Sequence, residues 1–257
     1  MSWDSVRVAE RVARAYSAPD LAAVRERQID LLDPQAGWRI ADIGCGPGAF
    51  AAALCARGAQ VTAIDSARAM LDAVEARALG CELIEADALA LPLATGSHDA
   101  ACVVQVLEYA DDPVAVLREA ARVVRPGGVV LAADTDWDTQ GFNVADRELG
   151  RHVMQAWADS KPDGWAGRRL RGWLTAAGLV VEEGCAVVLA ATEWGGDTFI
   201  AHNWPYYRRG LERAGRVSAA DLARFETEIE ESAASGAFYW SVVRHAWRAR
   251  VPGGTRG

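Results

Sequence analysis

Apolar and polar positions along this chain follow two periods, and the switch from one to the other marks out the elements. Short runs with strand character begin near Trp38-Arg39-Ile40 and recur at Gln60–Ile64, Glu82–Ala86, Ala100–Val104 and Val129–Ala133. Between them lie segments of helical pattern, such as Phe50-Ala51-Ala52-Ala53-Leu54-Cys55. Alternation of this kind predicts parallel pairing with right-handed crossovers. Ahead of the first strand, Val6 to Leu32 has helical spacing broken near Ser17-Ala18-Pro19, which predicts two helices packed over the mouth of the sheet. After Asp134 the rhythm changes. Residues 143–177 read as helical, with the loop Lys161-Pro162-Asp163-Gly164-Trp165 between two pieces. Leu179–Ala190 then reads as a sixth strand, about 197–234 as mainly helical, and Phe238–Trp247 as a closing antiparallel strand. The tail Pro252–Gly257 has no core-forming pattern and is expected to be disordered.

Composition narrows the class of molecule. At 257 residues and 51% hydrophobic, the chain can bury a core and is not of disordered type. No apolar run approaches the roughly 20 residues of a membrane span. The start, Met1 to Arg7, lacks a signal-peptide core, so a cytoplasmic location is expected. A net charge of −8 argues against broad nucleic-acid binding, which needs lysine and arginine to displace counterions. Arginines cluster at 168, 169, 171 and at 208, 209, 213, 216, which read first as solvated helix faces. The alternative for Arg168 and Arg169 is to orient the lid or to meet an acidic substrate. Cys45, Cys55, Cys81, Cys102 and Cys185 have no metal-like spacing, and His98, His152, His202 and His245 do not group with them. No metal site is expected.

The chemistry concentrates at Ile40-Ala41-Asp42-Ile43-Gly44-Cys45-Gly46-Pro47-Gly48. An apolar strand runs into a glycine turn and then a helix, an arrangement that lets backbone approach a nucleotide-like ligand laid over the strand end. Asp65 directly follows the second strand, where an acid can accept from both ribose hydroxyls. Asp87 follows the third and is placed to accept from an adenine amino group, with the Ala88 amide facing a ring nitrogen. A nicotinamide dinucleotide is the rival ligand. The Gly-x-Gly-x-Gly turn is not the dinucleotide Gly-x-Gly-x-x-Gly, and Asp87 has no role there.

ADIGCGPG at 41–48, AID at 63–65, EADALALP at 85–92, QVLEYADDP at 105–113 and RVVRPGGVVLAADTDWDT at 122–139 together resemble the class I S-adenosylmethionine-dependent methyltransferases. More narrowly, they look like the ubiquinone/menaquinone-biosynthesis-type methyltransferase-domain family. The resemblance implies a doubly wound, mostly parallel seven-stranded Rossmann-like α/β sheet with an antiparallel last strand and helical lid insertions. It implies one domain over 1–257: lid helices at 1–33, a cofactor-binding core at 36–135, insertions at 137–177 and 197–234, and the closing strand at 236–249. S-adenosyl-L-methionine is the implied cofactor. Its site would comprise Tyr16, Arg25, Gly44, Cys45, Gly46, Gly48, Asp65, Ser66, Met70, Asp87, Ala88 and Gln105. Arg25 would hold the cofactor carboxylate, Tyr16 would close over the same end, Met70 would pack on the adenine and Gln105 would face the reactive end. Asp134 and Asp136 border the acceptor site.

The implied reaction is methyl transfer to a small-molecule acceptor, whose attacked atom (oxygen, nitrogen or carbon) stays open, as does a monomer or homodimer. The alternative keeps the fold and cofactor for a non-methyl-transfer role such as cyclisation or binding. Ten tryptophans are many for this length. Those outside the sheet either pack the lid or wall an acceptor that is flat and apolar, or an amine held by cation–π contacts. His202 is the candidate base in the lid, with His152 second, although either also suits a structural role.

Overall fold

The computed structural model describes residues 3–253. Met1 and Ser2, and the tail beyond Gly253 for which disorder is expected, lie outside the described residues. Seven strands form one sheet: β1 Arg39–Ile43, β2 Gln60–Asp65, β3 Glu82–Glu85, β4 His98–Val104, β5 Val124–Phe142, β6 Val180–Ala191 and β7 Trp240–Arg250. Their order is β3-β2-β1-β4-β5-β7-β6. The first five are parallel, and β7 runs antiparallel between β5 and β6. This is the Rossmann-like α/β fold expected from the sequence.

Strand residues alternate between two layers because successive side chains point to opposite faces. Ile40, Ala100, Cys102, Val129 and Leu131 face one side, where α2 (Asp20–Leu32) and α3 (Ala49–Ala56) bring Ile29, Leu32, Phe50 and Leu54. Ala41, Ala101, Val103, Val130 and Ala132 face the other, against α5 (Pro113–Val123) and α7 (Ala166–Ala176) through Leu117, Ala120, Leu170 and Leu174. α4 (Arg68–Glu75) covers the β2–β3 margin with Leu71 and Val74. Local signals set the helix starts. Asp112 accepts from the Ala115 amide with Pro113 at the first turn, and Asp146, Thr198 and Ser218 cap in the same way.

A second core stands above the strand ends. α6 (Arg147–Ala158), α8 (Phe199–Ala214) and α9 (Ala219–Ala234) pack Val153, Trp157, Trp204, Tyr207, Phe225 and Ile229 against Trp137, Leu189 and Trp240. α1 (Val6–Tyr16) leans on α8 and α4. Two expectations are corrected here. The segment 137–177 is not a single insertion, because β5 continues to Phe142 and α7 is a sheet-covering helix. Residues 1–33 also divide, α1 lying at the mouth and α2 lying on a sheet face. An apolar helical stripe has the same period whichever surface it covers, so periodicity alone does not separate these cases. Packing inside the cap also accounts for most of the surplus tryptophans.

Candidate functional site

Strand order reverses between β1 and β4, and the crevice at such a point lies beyond the strand ends. β1 ends there in the glycine turn, with φ of +70° at Gly44, +52° at Gly46 and +79° at Gly48. A β-carbon on Gly44 would stand 2.4 Å from a Val106 methyl, so side chains are excluded by space as well as by conformation. The Gly44 and Cys45 amides donate to the Ile64 carbonyl and tie the turn to β2. Asp65 accepts from the Gly46 and Ala67 amides, both at 2.9 Å. Burial raises its carboxyl while those two amides oppose the rise. Its remaining lone pairs stay available to hydroxyl donors. Asp87 accepts from the Leu89 amide at 2.9 Å in a turn beyond β3.

A cavity of about 430 Å³ opens on this turn. Tyr16, Gly44, Cys45, Gly46, Asp65, Ser66, Met70, Asp87, Ala88 and Gln105 all line it. Gly48 lies outside the lining as the N-cap of α3, its missing side chain leaving room for Val74. Arg25 also lies outside, and its guanidinium donates to the Tyr16 carbonyl. The sequence reading omits Asp42, which lines the cavity with one carboxylate oxygen buried and unpartnered. Burial, with the charge of Asp65 adding to it, pushes the Asp42 carboxyl up to about 7.

Gln105 has a left-handed backbone at φ +60°. Its amide N–H bonds the Ala133 carbonyl, and its Oε1 accepts from the Thr135 hydroxyl at 2.6 Å. The side-chain nitrogen is buried without a partner. Asp134 lies beneath, accepting from the Glu108 and Thr135 amides. Asp136 is held by Arg168 through two bonds of 2.6 and 2.7 Å, while Arg169 pairs with Asp163. Neither aspartate lines the cavity; Arg168 ties α7 to β5, and Arg169 ties it to the loop before α7.

Beyond Gln105 the cavity passes into a chamber walled by Trp3, Tyr109, Trp137, Phe199, Tyr206 and Tyr207. Lys161 faces it, 5% exposed, with Trp157 at 4.4 Å, Trp137 at 4.8 Å, Tyr109 at 5.4 Å and Tyr206 at 5.7 Å from its ammonium. Its nitrogen lies 3.3 Å from the Tyr109 hydroxyl and 4.0 Å from Glu108. Glu108 is itself buried and accepts from the Trp137 indole at 2.6 Å. Desolvation pushes the Lys161 ammonium down and the Glu108 carboxyl up. The sequence reading treats Lys161 as part of a loop. The available signal is that it is the one lysine among 27 lysines and arginines.

His202 is not brought to this chamber. Phe199, Asn203, Tyr206 and Tyr207 form the inner face of α8, and His202 falls outside their arc on the helix wheel. Its Nε2 pairs with Asp197 at 2.7 Å, so the expectation of a base there is corrected by position. His152 is exposed on α6. Among the described residues, no group of three or more His, Cys, Asp or Glu is placed to hold a metal. Nor, among them, is any helix long and apolar enough to cross a membrane.

Comparisons with known proteins point to the same fold. A family profile for a methyltransferase domain matches residues 41–132. An uncharacterized 37.1 kDa protein in transposon TN4556 of Streptomyces fradiae is 30% identical over 93% of this chain and 69% of its own. An uncharacterized methyltransferase of Mycobacterium sp. (strain JLS) is 35% identical over 39% of this chain and 40% of its own. Among solved structures, a candidate methyltransferase of Bacillus halodurans C-125 superposes with a TM-score of 0.62 at 15% identity, covering 90% of this chain and all (100%) of that one. The cyclase SpnF gives 0.58 at 21% identity, covering 90% and 82%. Phosphoethanolamine N-methyltransferase 2 of Haemonchus contortus, in complex with S-adenosyl-L-methionine, gives 0.58 at 15%, covering 98% and 58%.

Proposed function

Because residues 41–132 match a methyltransferase-domain family and the sheet has a Rossmann-like methyltransferase order, we propose that the chain is a class I S-adenosylmethionine-dependent methyltransferase that methylates a small-molecule acceptor held under the helical cap. The narrower kinship with the ubiquinone/menaquinone-biosynthesis type is part of the same proposal and rests on the motifs at 41–48, 63–65, 85–92, 105–113 and 122–139. One observation carries the reading: a single cavity runs from the glycine turn, past Asp65 and Asp87, into the aromatic chamber beyond Gln105.

The residues present fit the cofactor. Asp42 Oδ2 and Gln105 Nε2 are buried and unpartnered on the cavity wall, an arrangement that is costly unless a polar ligand meets them. Asp65 would receive the ribose hydroxyls, Asp87 and the Ala88 amide the adenine edge, and Met70 the adenine face. Asp42 would face the cofactor's ammonium group. When bound, S-adenosylmethionine supplies an activated methyl group and its own leaving group, so the chain need supply no nucleophile. The chain's task is alignment and exclusion of water, which in favourable cases lowers a barrier by roughly 7–11 kcal/mol. Gln105 stands at the junction of the two compartments, and Phe199, Tyr206 and Tyr207 close the far side.

The test is to titrate S-adenosylhomocysteine and NAD calorimetrically, then to screen acceptors with methyl-labelled cofactor. Binding of the first ligand, not the second, and label recovered in a product are expected. Consumption of acceptor without label transfer would instead indicate a cyclase-like role.

A further inference from the structure

Two cations face the acceptor chamber, and among the described residues a single carboxylate lies within ion-pair distance of them. Arg11, on α1, lines the cavity with its guanidinium 4.2 Å from the Tyr206 ring centre. Lys161 approaches the same ring at 5.7 Å. Arg11 donates to a neutral partner, the Asn203 side-chain oxygen, at 3.3 Å. Among the described residues, no carboxylate lies within ion-pair distance of Arg11. Glu108 is the carboxylate within ion-pair distance of Lys161, at the long distance of 4.0 Å, and it is already engaged with the Trp137 indole. The buried Asp134 also bears on Lys161 and the buried Arg244 on Glu108, but neither lines the cavity, so Arg11 is the cation on its wall that lacks a charged partner among the described residues.

A cage of four rings is the usual receptor for an organic cation. Here the protein's own ammonium occupies that cage, so a cationic amine would meet like charge. The cation–π acceptor expected from the tryptophan content is thereby disfavoured. The flat apolar acceptor remains, and Arg11's lack of a charged partner adds a feature to it.

We propose that the acceptor is a flat, largely apolar molecule carrying an oxyanion, carboxylate or phosphate, that Lys161 and Arg11 hold together across the Tyr206 ring. Arg11 offers a planar fork that can take two oxygens, and Lys161 offers a point charge. The anion gives Arg11 a charged partner and seats the body of the molecule against Trp137, Phe199 and Tyr207. Because α1 carries Arg11 and the loop before α7 carries Lys161, binding also joins the cap to the sheet.

This inference rests on the methyl-transfer reading of the cavity, and the experiment separates the two. S-adenosylhomocysteine binding is measured first; its absence would overturn the cofactor reading. The loaded protein is then titrated with benzoate, phenyl phosphate, benzamide and benzyltrimethylammonium. Growth on lysine labelled at the ε-carbon gives one side-chain signal, since Lys161 is the single lysine. One of the two anions should shift that signal and bind about tenfold or more tightly than benzamide. The trimethylammonium probe should leave it unmoved. Whichever anion binds better identifies carboxylate or phosphate. Lys161→Met and Arg11→Gln should each remove the preference while S-adenosylhomocysteine affinity persists. If Lys161→Met fails to fold, the wild-type signal and Arg11→Gln decide alone. Equal binding of benzoate, phenyl phosphate and benzamide, no binding of either anion, or a preference surviving in Arg11→Gln would overturn the proposal.

Discussion

Thr135 donates its hydroxyl to Oε1 of Gln105 at 2.6 Å, so the amide nitrogen of Gln105 is the end left without a partner. Gln105 follows the end of β4 and Thr135 lies within the adjacent parallel strand β5, and their bond fixes a side chain whose backbone is already in an uncommon conformation at φ +60°. Replacing Gln105 by Gly removes the amide but relieves the backbone; replacing it by Ala removes the amide and keeps the strain. Gln105→Gly should therefore be the more stable variant by about 1 kcal/mol in urea unfolding. The reverse order would mean that the left-handed backbone relaxes freely.

Asp65→Ala should weaken S-adenosylhomocysteine binding by about 1–3 kcal/mol in calorimetry. The Gly46 and Ala67 amides would also lose their acceptor, so the glycine turn should exchange faster in the ligand-free variant. Unchanged affinity would remove Asp65 from the ribose role.

Asp42 gives a pH dependence of definite sign. Its folded pKa, about 7, lies above the ordinary 3.8, so the folded state favours the protonated form. Stability from this group is complete below the ordinary value, falls as pH rises through the window up to 7, and is gone above it. Asp42→Asn escapes that loss. Its advantage over wild type should grow across the window to at most roughly 4 kcal/mol in ligand-free protein. A gap that stays constant with pH would show that the carboxylate is charged throughout.

Ligand binding should slow hydrogen exchange in α1, α6 and α8, while α2 and α7, which lie on the sheet faces, change little. Protection confined to residues 40–110 would show that the cap does not respond to the cofactor.

His202→Ala should leave S-adenosylhomocysteine and probe binding unchanged and lower stability by no more than about 1 kcal/mol, the usual scale of a surface pair. Arg25→Ala should weaken S-adenosylhomocysteine and 5′-methylthioadenosine equally, because its guanidinium meets the Tyr16 carbonyl outside the cavity. A selective loss for the ligand that carries a carboxylate would restore Arg25 to the cofactor.

The strands and the cofactor end are legible in the sequence because their signals are local. Gly44 must adopt a positive φ, Asp65 must follow its strand, and Ile40 and Ala41 must face opposite layers. The acceptor end is not legible, since its residues come from α1, the β5 end, the loop at 161 and α8. Their meeting depends on how the cap folds, and no spacing encodes it. His202 draws attention as a titratable residue among aromatics, yet a rotation of one position on α8 turns it away. Lys161 hides in a loop, although a lone lysine among so many arginines is itself a signal. Arginine stays charged under almost any condition, whereas lysine yields more readily to burial.

The antiparallel placement of β7 has a consequence for how the chain is made. It is the last of the seven strands to leave the ribosome, yet it sits between β5 and β6, pairing Val129–Asp136 on one side and Val180–Ala191 on the other. Until it arrives, β5 offers a bare apolar edge to any passing strand, and β6 has no strand to pair with. Synthesis thus leaves an interval in which five of the seven strands can pair while β6 waits unpaired. Competing associations, chaperone capture and misassembly should be concentrated in that interval. A nascent chain halted before Trp240 should be far more aggregation-prone than one released after Arg250.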